Sequence, residues 1–172
     1  IFQTNPDRLT YRKWAKFKKF AEHKAFGDVR AKHRARDLNE EEFTEVYTRY
    51  AKALFAVGSG AGVDAPQGLE LEIIALKNPY TDDLSAGLPV QVMYREMPRI
   101  NAQVEIFERT SQGNTTVTLV QTNSEGIAII PVKSGHTYLL DNVLLREPSA
   151  ALSKETDAVW ETLWAALTFE VR

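Results

Sequence analysis

The segment Leu69-Glu70-Leu71-Glu72-Ile73 alternates apolar residues with glutamates, so its apolar side chains recur at every second position. A period of two is typical of a β-strand that buries one face and leaves the other in solvent. The same alternation recurs downstream, in segments centred on residues 88–92, 102–106, 117–119, 127–129, 138–143 and 163–171. Short strands with no helical pattern between them predict an antiparallel sandwich of about seven strands, of the immunoglobulin-like or prealbumin-like type.

Turn-forming residues separate these segments. Proline presets the bend of a turn, and glycine and asparagine tolerate the left-handed backbone that many turns need. Such residues occur in Asn78-Pro79-Tyr80, Met97-Pro98, Gln112-Gly113-Asn114, Asn123-Ser124-Glu125-Gly126 and Lys133-Ser134-Gly135. The connections are therefore predicted to be loops that join antiparallel strands, without crossover helices.

Upstream of residue 58 the apolar residues follow a helical period instead. Asn5-Pro6 can cap a first helix that ends at Gly27, and its predicted buried stripe consists of Tyr11, Trp14, Phe17, Ala21 and Ala25. A second helix is predicted from Asn39 to Gly58, with a stripe of Phe43, Val46, Tyr47, Tyr50, Leu54 and Val57. The polar, arginine-rich residues 28–37 between them are predicted to form a short helix.

The glycine-rich stretch Gly58-Ser59-Gly60-Ala61-Gly62 marks a predicted boundary, because such a sequence does not hold a helix. The charge changes sign at the same place: residues 1–57 carry 13 Lys or Arg against 8 Asp or Glu, and residues 58–172 carry 8 against 15. We predict a helical subdomain over 1–57, a linker over 58–68 and a β-sandwich domain over 69–172. The expected fold class is α+β, with helices and sheets in separate segments.

The composition excludes several classes of protein. With 172 residues, 44% of them hydrophobic, the chain can build a core, and no apolar run reaches the ~18 residues of a membrane-spanning helix. The absence of cysteine excludes disulfides, thiolate nucleophiles and cysteine metal sites. Because Ile1 is not an initiator methionine, we expect a trimmed or truncated chain, which is compatible with an export signal that has been removed.

Four residues are candidate ligands for a divalent metal: His136, His23 and the pair Asp82-Asp83. Neutral imidazole and carboxylate oxygens are common metal ligands. His23 and His33 do not have the spacing of a helical zinc motif, His136 follows a glycine at a predicted turn, and the aspartates lack the pattern of an EF-hand. Each candidate therefore also has a structural interpretation, as an exposed or locally hydrogen-bonded side chain.

A basic segment runs from Arg12 to Arg36 and contains ten Lys or Arg but only two acidic residues. Clustered positive charge can bind phosphates or an anionic membrane surface, and the candidate anion-binding residues are Lys16, Lys18 and Lys19. The alternative is a solvated helix face whose lysine stems cover the edge of an aromatic core. No nucleic-acid partner is expected.

Motifs for enzymatic chemistry are missing from the sequence. There is no GxSxG nucleophile motif, and the glycines at 58–62 are not followed by the GK[ST] ending of a phosphate-binding loop. We therefore expect a protein that is not an enzyme.

Several strings resemble a bacterial exported family of unknown function. They are Arg49-Tyr50-Ala51-Lys52-Ala53-Leu54, Leu69-Glu70-Leu71-Glu72-Ile73-Ile74, Asn78-Pro79-Tyr80, Leu88-Pro89-Val90-Gln91-Val92 and the closing residues 160–169. Members of that family have been described as periplasmic components of nickel or cobalt uptake (NikM-like). Residues 104–140, with Thr122–Gly126 and Gly135–Tyr138, are also similar to a transthyretin-like or carboxypeptidase-regulatory-like sandwich module.

The resemblance implies an exported, periplasmic binding or accessory domain that is linked to nickel or cobalt uptake. It implies a divalent metal, Ni or Co, as the cofactor, and a membrane transport component or another envelope protein as the partner. Family members generally begin with further strands that include a histidine–aromatic segment, and nothing in this chain matches that segment, so no functional residue is carried over. The charge pattern suggests an alternative function, a cell-envelope adhesion or anchoring module that uses the basic helices.

Overall fold

β-Strands dominate the computed structural model, which describes residues 1–172. The eleven strands are β1 (Phe2–Gln3), β2 (Asp7–Tyr11), β3 (Phe43–Ala53), β4 (Leu71–Ala75), β5 (Leu88–Tyr94), β6 (Met97–Pro98), β7 (Gln103–Arg109), β8 (Thr115–Gln121), β9 (Ile127–Ile130), β10 (Thr137–Arg146) and β11 (Ala158–Glu170). The three helices are α1 (Trp14–His23), α2 (Val29–Ala35) and α3 (Ala150–Thr156). None of these helices has the length and apolar character that a membrane crossing requires.

The strands form two sheets. The larger sheet has the order β1-β3-β11-β10-β7-β8, with β2 also paired to β3, and the smaller sheet has the order β4-β5-β6, with β9 also paired to β5. All seven strands predicted downstream of residue 68 are present, as β4, β5 and β7 to β11. The predicted α+β class with a β-sandwich is confirmed in outline, because the chain has two sheets in a sandwich-like arrangement and three short helices, and most of its ordered elements are strands.

The chain divides into two compact units that differ from the predicted division into 1–57, 58–68 and 69–172. Unit 1 comprises residues 1–3, 50–142 and 165–172, and unit 2 comprises residues 4–49 and 143–164. Contacts between distant parts of the sequence assemble unit 2: Trp160 Nε1 donates to His33 Nδ1 at 3.0 Å, and β2 pairs with the first half of β3. Such long-range pairing has no local sequence signal.

Unit 1 has a mainly aliphatic core with one stacked pair of aromatic rings, Tyr138 and Phe169, at 5.4 Å. The inward positions follow the period of two, but Glu72 on β4 and Glu105 on β7, which lie between them, are buried as well. Among the most deeply buried aliphatic residues are Leu71, Ile73, Leu88, Val90, Val104, Ile106, Ile130, Leu140 and Leu167. One ion-pair cluster is buried as well: Lys52 Nζ lies 2.8 Å from Asp64 and 2.9 Å from Glu72, and the three side chains are 4%, 5% and 3% exposed. The two carboxylates compensate the buried ammonium group.

Unit 2 has an aromatic core. The rings of Tyr11, Trp14 and Phe43 surround the fully buried ring of Phe17, with centroids 5.0–5.3 Å from it. His33 is fully buried against them and is hydrogen-bonded at both ring nitrogens, because Trp160 donates to Nδ1 and Nε2 lies 3.0 Å from the Asn39 carbonyl. The two hydrogen bonds of His33 therefore favour one arrangement of the core, whereas Trp14 Nε1 is buried without a hydrogen-bond partner.

The prediction of a second helix over residues 39–57 is wrong, because Phe43–Ala53 form strand β3. Valine, threonine and tyrosine dominate this segment and favour strands. From Val46 onward the buried positions alternate, through Thr48, Tyr50 and Lys52. The helical stripe failed because it omitted Thr48 and Lys52, which are polar residues that this strand buries.

The predicted first helix began too early. Residues 7–11 form β2, which pairs antiparallel with β3 in the register Tyr11↔Phe43, and α1 begins only at Trp14. Trp14, Phe17 and Ala21 are buried on α1, as the helical spacing indicates. The short helix predicted between residues 28 and 37 is confirmed as α2, where Asp28 accepts a capping hydrogen bond from the backbone N–H of Ala31.

Candidate ligand-binding site

A pocket of about 370 Å³ opens on unit 2 between β2, α1, β3 and β11. It combines aromatic walls, three cationic side chains and one buried carboxylate. Its lining residues are Arg8, Leu9, Tyr11, Lys16, Phe20, Glu45, Tyr47, Arg49 and Trp164. We call it the unit 2 pocket.

Strand geometry brings three of the lining residues together on β3. Glu45, Tyr47 and Arg49 are two residues apart, so their side chains leave the same face of the strand. Trp164 comes from β11, and Phe20 of α1 stacks on its ring at 5.6 Å with an interplanar angle of 11°. One wall of the pocket is therefore a pair of parallel aromatic rings.

The cationic groups lie against the aromatic rings. The Arg49 guanidinium is 5.3 Å from the ring centroids of both Tyr47 and Trp164, and Lys16 Nζ is 6.0 Å from that of Tyr11. These are cation–π distances, which hold the cations at the rings without neutralising their charge. Arg8 donates to the Thr156 carbonyl at 3.4 Å.

None of Arg8, Lys16 and Arg49 forms a salt bridge. Asp7, beside Arg8 in sequence, accepts hydrogen bonds from the Tyr47 hydroxyl at 2.8 Å and from the Arg8 backbone N–H at 2.7 Å, and these bonds, with the Arg8 charge, lower the pKa of Asp7. The pocket therefore presents three positive charges that no carboxylate neutralises by direct contact.

The floor of the pocket contains the buried carboxylate of Glu45. Tyr11 donates to Oε2 at 2.7 Å, Thr162 donates to Oε1, and Trp164 Nε1 donates in turn to the Thr162 hydroxyl at 3.0 Å. Burial raises the pKa of Glu45, and these two hydroxyl donors oppose that shift. The network links the ring of Trp164 through the Thr162 hydroxyl to Glu45 on β3, so this wall of the pocket is held in place.

The predicted anion-binding lysines are divided between two environments. Lys16 lines the unit 2 pocket, whereas Lys18 pairs with Glu22 at 3.5 Å on the exposed face of α1, and Lys19 is exposed outside the pocket. Sequence reasoning missed Arg8, Arg49 and Trp164. The spacing of two between Glu45, Tyr47 and Arg49 is a signal that could have identified Arg49, but a prediction of helix for this segment places the three side chains on different faces.

The four predicted metal ligands do not come together. His136 Nδ1 lies 2.7 Å from Glu108, which Lys133 also contacts at 3.0 Å, and the hydrogen bond from Lys133 is the main cause of a lowered pKa of Glu108. Asp82 and Asp83 line a different hollow, where they accept backbone hydrogen bonds from Asn78 and Ser85. His23 is exposed on α1, in unit 2. No group of three or more histidine and carboxylate side chains has a metal-binding arrangement.

The fold and the pocket define a sandwich-like β protein with an aromatic, positively charged cleft. The chain belongs to the family described as Domain of unknown function (DUF4198), whose model matches residues 3–144. No curated protein and no solved structure matches the chain.

Proposed function

We propose that this member of the DUF4198 family is a non-enzymatic, exported binding domain, and that its unit 2 pocket holds a small anion that carries a flat ring. The observation that supports the ligand class is the pairing of aromatic walls with three cations that lack salt bridges. A carboxylate or phosphate group of the ligand would face Arg8, Lys16 and Arg49. Its ring would pack among the aromatic side chains that line the pocket, beside Arg49.

The size of the pocket suits such a ligand. A volume of about 370 Å³ lies at the small end of the range typical of small-molecule sites. The positive charges of Arg8, Lys16 and Arg49 would attract an anion from solution, and this attraction would weaken as the salt concentration rises.

The lack of a histidine, a serine or a free carboxylate in the unit 2 pocket supports a binding role over catalysis. No histidine or serine lines the unit 2 pocket. Its only carboxylate, Glu45, has both oxygens occupied by hydroxyl donors. A general base needs an oxygen within reach of the substrate proton, and a nucleophile needs an adjacent base.

The connection to nickel or cobalt uptake and the partnership with a membrane transport component remain predictions from the resemblance. The adhesion alternative, in which basic helices contact an anionic envelope polymer, remains a prediction from charge. Calorimetric titration of chelator-stripped protein with nickel and cobalt tests the first. Saturable binding would support a metal role, and no heat of binding would contradict it for this chain.

The pocket proposal is tested with phenyl phosphate and benzoate as probes and benzyl alcohol as the uncharged comparison. Binding is followed by tryptophan fluorescence and by calorimetry. We expect both anions to bind saturably, and affinity to fall as salt is added, whereas benzyl alcohol binds more weakly. Arg49→Met should weaken binding by about tenfold, the effect expected for losing one charge-assisted contact of about 1.4 kcal/mol.

Lys19→Met is the matched control, since it removes one positive charge from α1 outside the pocket. An equal loss in Lys19→Met and Arg49→Met would mean that net charge alone attracts the probes. No saturable binding of either anion would contradict the proposed ligand class.

A further inference from the structure

Strand β8 forms an open edge of the larger sheet. It pairs with β7 in the register Val104↔Val120 to Arg109↔Thr115, and it is the last strand in the sheet order. Backbone N–H and C=O groups on its outer side therefore have no partner strand. A row of such groups is a template on which another strand can add.

β8 lacks the devices that usually protect an edge strand. Its sequence, Thr-Thr-Val-Thr-Leu-Val-Gln over residues 115–121, has no charge, no proline and no glycine. Lysine, proline, bulges or very short length normally prevent edge-to-edge pairing. A seven-residue strand rich in threonine and valine is instead well suited to further pairing.

The other edge strands of the molecule are shorter than β8. β1 and β6 have two residues each, β6 contains Pro98, and the uncharged β9 has four residues. β2 carries Asp7 and Arg8. The outer side of β4 is occupied by the preceding loop, because Asp64 accepts the Ala75 N–H at 2.9 Å and Glu72 accepts the Gln67 N–H at 3.0 Å. With seven residues and no charge, β8 is therefore the longest open edge of the molecule.

One row of the sheet face beside this edge is apolar, although Glu105 and Arg109 of β7 leave the same face on either side of it. Leu139 of β10 lies opposite Phe107 of β7, and Phe107 lies opposite Val117 of β8, so the three form a row on one face. Leu119 is two residues from Val117 and leaves the same face. Val117 and Leu119 are 50% and 53% exposed, respectively. A strand added to β8 would cover the outer side of these two residues.

We propose that β8 pairs antiparallel with β8 of a second copy of this chain, which joins two larger sheets across a two-fold axis. An uncharged strand cannot select a foreign partner by charge, and it imposes no repulsion on an identical strand. In the two-fold pairing, Arg109 of one β7 lies at the level of Gln103 of the other β7. The two Arg109 side chains are therefore at opposite ends of the joined sheets and do not repel each other at close range. The same pairing also brings the Val117 and Leu119 pairs of both copies together.

The test measures molecular mass against protein concentration by sedimentation equilibrium. We expect a reversible dimer, together with slowed hydrogen exchange of the β8 amides as the concentration rises. Val117→Lys should raise the dimer dissociation constant by about tenfold or more, because it places a charge at the paired edge. Leu139→Lys makes a similar change on the same face two strands away, and it should leave the constant unchanged.

Several outcomes would overturn the proposal. They are a monomer at every concentration, β8 amides that exchange equally fast when dilute and concentrated, or equal weakening by Val117→Lys and Leu139→Lys. If circular dichroism shows that Val117→Lys does not fold, Leu119→Lys replaces it. The exchange measurement on the unmodified protein decides the matter without any variant. A monomer whose β8 becomes protected only on adding a foreign strand-forming peptide would also contradict self-pairing.

Discussion

The two units of this chain solve the same problem, burial of a sheet face, with different side chains. Unit 1 packs mainly leucine, isoleucine and valine, with one stacked aromatic pair of Tyr138 and Phe169, and encloses a compensated ion cluster at Lys52. Unit 2 packs tyrosine, tryptophan and phenylalanine around Phe17 and includes the hydrogen-bonded side chains of His33 and Glu45. Aliphatic side chains interdigitate without directional bonds, whereas tyrosine and tryptophan also carry polar groups that can take part in hydrogen bonds.

This difference explains why the candidate ligand site belongs to unit 2. The rings that extend beyond its core, Tyr47 and Trp164, present flat faces and cation–π partners at the surface. The strands of unit 1 direct their aliphatic residues inward and leave an apolar row beside the edge of β8 instead. We therefore assign small-molecule binding to one unit and self-association to the other, and these assignments can fail independently.

The largest effect should follow Phe17→Ala, which removes the ring at the centre of the unit 2 core. We expect a loss of about 4 kcal/mol in the free energy of unfolding, because a fully buried phenylalanine leaves a cavity. Tryptophan fluorescence during urea unfolding measures it, since Trp14, Trp160 and Trp164 all belong to unit 2. Phe55→Ala, at an exposed phenylalanine, should change stability by less than about 0.5 kcal/mol.

Lys52→Met tests the buried ion cluster of unit 1. Removing the ammonium leaves Asp64 and Glu72 buried without their cation, and we expect a loss of about 3 kcal/mol. Far-UV circular dichroism during urea unfolding is the measurement, because unit 1 contains no tryptophan. The exposed Lys77→Met is the control and should have little effect. A Lys52→Met protein as stable as the unmodified one would show that the cluster contributes only to specificity.

A glycine in each unit gives a matched pair for comparing how tightly the backbone is packed. Gly126 in unit 1 has φ +71° and Gly27 in unit 2 has φ +73°, so alanine meets the same backbone strain, about 1–2 kcal/mol, at both. Only at Gly126 would the new Cβ also approach backbone atoms, 2.9 Å from Arg99 N and 3.0 Å from Val92 O. Gly126→Ala should therefore cost about 1 kcal/mol more than Gly27→Ala in thermal or urea unfolding. Equal costs would mean that the Gly126 turn can shift.

The smallest effect concerns pH and two of the glutamates of unit 2, Glu45 and Glu40. Burial raises the pKa of Glu45, so the folded state binds its proton more tightly than the unfolded state, and stability should decline as pH rises from the ordinary carboxyl range through the raised pKa. Glu45→Gln should remove that decline. Unfolding free energies measured across this pH range test the expectation.

Glu40 has the opposite effect on how stability changes with pH. A hydrogen bond from Arg30, supported by Arg34, lowers the pKa of Glu40 to about 2, so its contribution is present above the ordinary pKa and is lost as pH falls towards about 2. Glu40→Gln should remove this acid-side loss and leave the Glu45 slope intact. If both variants had the same pH profile, neither carboxylate would be responsible for it.

Sequence reasoning succeeded where burial follows a local period. Val90 and Val92 on β5 are buried as the alternation predicts, and so are the apolar residues of β4 and β7. Trp14 and Phe17 on α1 follow the helical period in the same way. In each case one buried face, repeated at fixed spacing, is enough to identify the element. The glutamates between the apolar residues of β4 and β7, Glu72 and Glu105, are buried too, which the alternation does not predict.

It failed where burial depends on partners far away in the chain. Lys52 and Glu45 are polar residues on β3 whose burial is compensated by distant partners. Lys52 pairs with the carboxylates of Asp64 and Glu72, and Glu45 accepts hydrogen bonds from the hydroxyls of Tyr11 and Thr162. Without knowledge of those partners the pattern of β3 resembled a helix. Trp164 and Arg49 are 115 positions apart, yet the Arg49 guanidinium lies 5.3 Å from the Trp164 ring centroid.

Local periodicity therefore determined the seven strands predicted downstream of residue 68, the body of helix α1 and the sandwich-like character of this DUF4198 chain, because each depends on neighbours within a few residues. Only the tertiary structure decided the division into units, the unit 2 pocket and the open edge of β8. These features depend on which strands pair. Pairing is a long-range choice, made by the summed packing of whole sheet faces, and no short segment of sequence contains it.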